Sequence, residues 1–565
     1  MRESVAQLVT QALAALQAQG VLPGGELPPC KVERPKERQH GDFSVNSAMV
    51  LARAARMKPR ELAERILAAL PADQTLVREG AVAGPGFINF FLHRAQWLTV
   101  PDTILAQGRD YGRTTSGRGR RVQVEFVSAN PTGPMHVGHG RGAVTGDVLA
   151  TLLAATGFAV EREYYINDAG VQVGILGTSV LHRYRELFAP QGPMPDGCYP
   201  APYVADIARA LWDRDGDRWL AVTEPPRAVI DFAIDQVLGW IRHDLERLNI
   251  RFDHWFSELD LHRKGMIDAA VEQLASQDLI YQGVLEAPKG KQPPEDWEPR
   301  PQLLFRATRF GDEVDRPLKK SDGSYTYFAA DIAYHFDKAR RGFDQLVNVW
   351  GADHGGYVKR VQAALEALTG RRDLLDVQLV QMVSLFRDGE PVKMSKRGGT
   401  FITLEEVVSE VGADPVRFLF LTRSSNSRLD FDLELAKRQS NDNPVFYVQY
   451  AHARVHSLED KLAERGLDPG RWDPQALVLE EELELIRQMS RLPEVVEGAA
   501  LAHEPHRLPY YLMELAGVFH AYYNATPILV EDPVLRGSRL KLARALRQVV
   551  GNGLSLLGVS TPERM

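Results

Sequence analysis

Arg121-Val122-Gln123-Val124-Glu125-Phe126-Val127-Ser128-Ala129-Asn130-Pro131-Thr132-Gly133-Pro134-Met135-His136-Val137-Gly138-His139 is the stretch on which the fold of this chain turns. Its first seven residues alternate, with Val122, Val124 and Phe126 on one side and Gln123 and Glu125 on the other. That is the period of a β-strand. A loop then carries the two histidines, residues 144–155 have helical spacing, Gly157 stops the helix, and 158–166 returns to strand. Strand, loop, helix and strand in that order make a βαβ unit and predict a parallel sheet.

His136 and His139 stand three apart at the start of a helix that follows a buried strand, so both imidazoles lie on one side of its first turn. The N–H groups and partial positive charge at that helix end face the carboxyl edge of the sheet, where phosphates bind in open α/β folds. Gly138 between them lets a nucleotide base approach the backbone closely. Imidazoles placed there donate hydrogen bonds to a triphosphate as charge builds on it. A zinc pair is the competing reading, but zinc needs further ligands, and Cys30 and Cys198 are both far away in sequence.

Further along the chain stands Lys393-Met394-Ser395-Lys396-Arg397-Gly398-Gly399-Thr400, a basic loop followed by two glycines. A basic loop is most often simply solvated. One that folds over a triphosphate neutralises the phosphates as pyrophosphate leaves.

The two peptides, in this order, resemble the paired "HIGH" and "KMSKS" motifs of class I aminoacyl-tRNA synthetases. The longer form from Ser128 to His139 looks like the arginyl-tRNA synthetases. Arg397 stands where the second motif's name has a serine, a change that retains positive charge. The resemblance implies a Rossmann-like parallel-sheet catalytic domain with helical insertions. An N-terminal α/β domain that contacts the tRNA D-loop would precede it, and an all-helical anticodon-binding domain would follow. It implies attack by the arginine carboxylate on the α-phosphate of ATP, then transfer of arginine to the 3′-terminal adenosine of tRNA(Arg). ATP would come as its Mg²⁺ complex, and no structural metal is expected. His136, His139, Lys393 and Lys396 would be catalytic; these four with Gly138, Met394 and Ser395 would bind ATP.

A guanidinium asks for carboxylates, ideally bidentate. In Asp322-Gly323-Ser324-Tyr325-Thr326-Tyr327-Phe328-Ala329-Ala330-Asp331, Tyr327 and Asp331 are four apart, hence on one helix face. The same stretch resembles the arginyl-enzyme pattern in which that Tyr and Asp hold the arginine side chain. Glu125, Ser128, Asn130 and His354 match further family positions around the amino acid. Read without the resemblance, Tyr327 is equally a core residue and Asp331 an ordinary surface acid.

Gly84-Pro85-Gly86-Phe87-Ile88-Asn89-Phe90 resembles the family's strand that meets the D-loop, with Phe87 and Asn89 as the contacting pair. Asn443-Pro444 is a good helix start, and the stripe that follows it puts forward Tyr450 and Arg454 as tRNA contacts. On these readings the chain divides into 1–110, a catalytic domain 118–410 with a helical insertion at about 175–300, connecting helices 411–442, and a helical domain 443–565. Local patterns add helices over 43–55 and 59–70, a strand at 87–92, strands at 346–350 and 377–380, and an almost entirely helical chain beyond Gly412.

The bulk numbers agree with a large enzyme. A chain of 565 residues exceeds one core, and roughly three or four domains is the prior from length. Two cysteines exclude a disulfide scaffold or a four-cysteine zinc site and fit a reducing cytoplasm. No stretch of about 18 apolar residues predicts a membrane span. The net charge of −7 opposes a polyanionic partner, so tRNA binding would rest on local basic patches such as Lys31, Arg34, Lys36 and Arg38. The expected protein is a cytoplasmic monomer acting on tRNA(Arg), L-arginine and ATP.

Overall fold

The computed structural model describes every residue except 73, 286–297 and 393–401. Lys393, Met394, Ser395 and Lys396 therefore lie outside the described residues. The chain forms two compact units, one made of 1–108 with 462–490 and 521–546, the other of the remainder.

The first unit carries an antiparallel sheet in the order Val32–Glu33, Phe43–Val45, Phe87–Leu92, Val77–Ala83. The expected helix over 43–55 is in fact a strand followed by the helix Ser47–Ala55. The reason is pairing: Phe43 lies opposite Phe90 and Val45 opposite Ile88, and all four are buried. Local helical spacing yields there to tertiary pairing. Phe87 stands 37% exposed at one end of its strand, whereas Asn89 is only 6% exposed. Arg539 and Glu482, both buried, pair at 2.9 Å among the helices of this unit.

The second unit is built on a five-stranded, all-parallel sheet in the order Leu375–Val380, Gln345–Gly351, Arg121–Glu125, Ala159–Ile166, His254–Ser257. The βαβ expectation holds, with the helix Val137–Ala155 joining the strands Arg121–Glu125 and Ala159–Ile166. Alternation in the first strand misleads in one respect. Gln123 and Glu125 are as buried as Val122 and Val124, because a central parallel strand is covered on both faces. Gly146 lets the helix close on the sheet, since a Cβ there would lie 2.3 Å from the Phe126 ring.

The insertion is less purely helical than its sequence suggests. Within it His254–Ser257 joins the main sheet as its edge strand, and Ile280–Gly283 pairs with Gln302–Phe305, beyond the insertion, in a separate antiparallel sheet that Arg316–Lys319 completes. Beyond Gly412 the chain is helical except for Leu429–Asp432, which pairs in parallel with Val383–Arg387. No described helix is long and apolar enough to cross a membrane.

Sheet order places the site. After the central strand Arg121–Glu125 the chain goes to one neighbour, Ala159–Ile166, and only much later supplies the other, Gln345–Gly351. The crevice beyond the carboxyl ends of strands, where the order reverses, is where open α/β sheets bind ligands.

Candidate active site

The loop that leaves the central strand is strained. Val127 has φ 68° and Ser128 φ 39°, the left-handed region that a β-branched residue avoids. The bend returns the Ser128 hydroxyl to Glu125, donating at 3.0 Å, while the same oxygen accepts from the Tyr165 N–H at 3.1 Å. Asn130, exposed, donates to Gln172 at 3.0 Å.

His136 is the N-cap of the helix Val137–Ala155. Its Nδ1 accepts from the Gly138 N–H at 3.1 Å, and the His139 Nδ1 accepts from the His136 N–H at 3.3 Å. The two rings stack with centroids 3.7 Å apart. Both Nδ1 atoms being acceptors, the neutral rings carry their protons on Nε2, the edge that can donate to a phosphate. Gly138 has a more local reason than base approach, since a Cβ there would meet the His136 ring at 2.9 Å. The histidines, Asn130, Gln172, Tyr199 and Tyr203 line a cleft of about 410 Å³.

The segment following the lysine motif returns to this point. Thr403 forms an antiparallel bridge with His136, and the Leu404 N–H donates to the Met135 carbonyl at 2.8 Å. Thr403 and Leu404, remote from the histidines in sequence, thus stand beside the turn that carries them.

A second group of candidate residues is carried by the helix Tyr327–Arg340, capped by the Thr326 hydroxyl. Tyr327, at its first position, is 44% exposed. Asp331 follows one turn later, half-buried, and accepts a hydrogen bond from the Tyr357 hydroxyl at 2.5 Å. Behind it lies a buried polar chain. The Asp331 carbonyl is 2.8 Å from His335 Nδ1, and the Asn348 amide donates to His335 Nε2 at 2.8 Å. Lys338 donates to the Asn348 side-chain oxygen at 3.1 Å and to Glu125 at 2.5 Å. Burial first, and the Lys338 charge second, push His335 down to about 3, so its imidazole is neutral. Glu163 accepts from Tyr334 and from Arg341, each at 2.6 Å. Burial alone would raise its carboxyl, but the charges of Lys338 and Arg341 and these hydrogen bonds bring it down to about 2.

Tyr165 reports where negative charge gathers. Burial drives its hydroxyl far above the ordinary range, and the carboxylates of Glu258, Asp331 and Glu125 push it the same way. The Tyr165 hydroxyl donates to Glu258, whose carboxyl is raised mainly by its own burial. Glu125 already has Lys338 as counter-ion; among the described residues no basic side chain pairs with Glu258. A cationic side chain reaching this place would complete the charge balance.

Of the residues put forward from the sequence, Ser128 bonds Glu125, Glu125 pairs with Lys338, His136 and His139 share one helix turn, and Asp331 lies on the helix that carries Lys338. His354 lies in the short 3₁₀ turn Ala352–Tyr357, its side chain 62% exposed and 3.7 Å from Asp353. Tyr165, Glu258, Tyr357 and Lys338, which the sequence did not put forward, are in contact or electrostatic reach of these residues. Glu258 directly follows the strand His254–Ser257, so recognising that strand was the signal that could have found it. One further cluster, Glu161, Glu163 and His254, has metal-ligand geometry among the described residues. The Arg341 guanidinium lies within it, 3.1 Å from Glu161 and 2.6 Å from Glu163. In the helical region, Arg454 stacks over Tyr450 at 4.5 Å and lies 3.1 Å from His520.

Comparison with known proteins bears on this geometry. Residues 3–92 match the arginyl tRNA synthetase N terminal domain, 100–196 the catalytic domain of tRNA synthetases class I (R), and 448–565 the DALR anticodon binding domain. An "Arginine--tRNA ligase" of Magnetococcus marinus is 58% identical over all of both chains. One from Ruegeria pomeroyi is 48% identical over 99% of this chain and 98% of that one. The fold agrees with the arginyl-tRNA synthetase of Thermus thermophilus over the whole of both chains, at TM-score 0.75 and 23% identity. With homology running from end to end over a class I site, this chain belongs to the arginyl-tRNA synthetase family.

Proposed function

We propose that this chain carries out its family's reaction, arginine–tRNA ligation, with the two sides of the crevice dividing the work. L-Arginine lies with its guanidinium among Asp331, Glu258 and Tyr165, while Tyr327 packs on or hydrogen-bonds to the guanidinium plane. Asn130 and Ser128 hold the amino-acid end, and Glu125 sustains the negative potential from behind. ATP, arriving as its Mg²⁺ complex, places its triphosphate at the helix N-terminus under the Nε2 edges of His136 and His139. Lys393 and Lys396 neutralise the β- and γ-phosphates. An arginine carboxylate oxygen then attacks the α-phosphorus and the bond to pyrophosphate breaks. In the second step a hydroxyl of the tRNA 3′-terminal adenosine takes the arginyl group and AMP leaves. No protein nucleophile takes part; positioning and charge stabilisation supply the rate.

On the same reading residues 1–110 meet the tRNA D-loop, with Phe87 as the exposed member of the Phe87–Asn89 pair, and 443–565 bind the anticodon arm, Tyr450 and Arg454 among the contacts. The protein acts as a monomer in the cytoplasm.

The observation that carries the amino-acid assignment is the convergence of Glu125, Glu258 and Asp331 on Tyr165. Carboxylates that receive the planar fork of a guanidinium are imperfectly matched by an ammonium, a point charge on a differently shaped stem. Sites of that kind reject analogues by ~10⁴–10⁵ without an editing site. The test is adenylate formation with arginine, lysine and citrulline in the wild type and in Asp331→Asn, with tRNA present. The variant should raise the arginine KM or abolish charging while the fold is kept. Activation of lysine or citrulline within about tenfold of arginine, or an unaffected Asp331→Asn, would place the side-chain pocket elsewhere.

A further inference from the structure

The helix that carries the histidines is held by two buried guanidinium groups of different kinds. Arg417, 1% exposed, reaches it from outside and donates to Asp147 at 2.6 Å. Its other donors satisfy the carbonyls of Leu557 at 2.6 Å and Leu248 at 2.5 Å. That is an ordinary buried ion pair. Arg141 belongs to the helix itself, two residues beyond His139, and is fully buried. No carboxylate pairs with it among the described residues. Its Nη1 donates to the carbonyls of Ser427 at 2.7 Å and Gln381 at 3.0 Å, and its Nη2 to that of Ser424 at 2.9 Å.

The places held are informative. Gln381 stands just before the strand Val383–Arg387, and Ser427 just before Leu429–Asp432, the two strands that pair in parallel. The chain runs from the first of these through Glu390–Pro391 into the segment bearing Lys393 and Lys396. We propose that Arg141 is a positioning residue for amino-acid activation, holding the histidine-bearing turn in place by tying it to the entrances of both strands. This rests on the ligation reading above.

The chemistry favours arginine at this point. One planar fork offers donors in two directions, and carbonyls from two separate loops use them; a lysine ammonium is a point donor that cannot span both. A buried cation solvated by carbonyls alone is a costly anchor. Burial accordingly brings the Arg141 guanidinium down to about 10, still charged at neutral pH. If helix packing were the only need, a clamp like Arg417, with its own acid, would serve.

The test compares Arg141→Lys, Arg141→Gln and Arg417→Met with the wild type in charging assays with ATP, arginine and tRNA, alongside thermal unfolding. Both Arg141 variants should lose charging kcat by about ten- to a hundredfold, the range expected of a misplaced catalytic constellation, with the tRNA KM unchanged. Arg417→Met should lower Tm at least as much and keep kcat within about threefold. The proposal fails if Arg141→Lys keeps kcat within about threefold, or if Arg417→Met loses kcat to the same degree at equal loss of Tm. Failure of both Arg141 variants to fold would equally overturn it, by assigning the residue to the core. A wild type that does not charge tRNA with arginine would refute the ligation reading itself.

Discussion

The histidine side of the cleft is assembled from neighbours in sequence, whereas the acid-and-tyrosine side is assembled from residues scattered between Glu125 and Tyr357. On the first, His136, Gly138 and His139 orient one another through backbone hydrogen bonds within a single turn. On the second, a buried polar chain of His335, Asn348, Lys338 and Glu125 ends at the Asp331 carbonyl. On the proposed function, the difference follows from the ligands. Phosphate is met by a helix end, which any helix supplies locally. A guanidinium must be met by carboxylates, and keeping several of them charged in a closed place needs counter-ions and hydrogen bonds from elsewhere in the fold.

If that contrast is right, damage on the two sides will read out differently. The largest effect is expected from Lys338→Met, which leaves Glu125 buried without its counter-ion. Removing one partner of a buried pair costs about 3–5 kcal/mol, so urea unfolding should show a loss of that size. A loss below about 1 kcal/mol would mean that Glu125 does not need Lys338.

On the phosphate side the effect should be kinetic. Lys396→Ala should cost about 2–4 kcal/mol in the activation transition state with little change in ATP KM, because the lysine grips pyrophosphate as charge develops. Unchanged single-turnover adenylate formation in this variant would remove the lysine from the mechanism, whatever happens to stability.

The smallest effect concerns pH. His335 titrates near 3 in the folded protein against an ordinary 6.5, so the unfolded chain takes up a proton that the folded one refuses. Its stabilising contribution is complete above about pH 6.5 and falls as pH drops toward 3. Measured against His335→Gln, the wild type should lose about 1.4 kcal/mol of its advantage between about pH 7.5 and pH 5.5. A pH-independent difference would show that the imidazole is not buried neutral.

Legibility in the sequence divides along the same line. The βαβ unit, the helix at the histidines and the strands near 346 and 377 could be read because each is a local pattern of apolar spacing and helix ends. The strand His254–Ser257 could not, because four residues inside a helical insertion carry too little pattern, and pairing with Glu163–Ile166 is what makes them a strand. Glu258 was lost with it. Phe43–Val45 went astray for the same reason, its partner Ile88–Phe90 being remote in the chain.

From the sequence alone came the family, the order of motifs, the helix terminus proposed for phosphate and the acid one turn after Tyr327, since all of these are carried by residues close together along the chain. Only the tertiary structure decided that Glu125 faces Lys338, that Glu258 and Tyr165 join Asp331, and that Thr403 pairs with His136. Charge compensation and strand pairing are relations between distant segments. Their energies depend on distance and burial, which the order of residues does not contain.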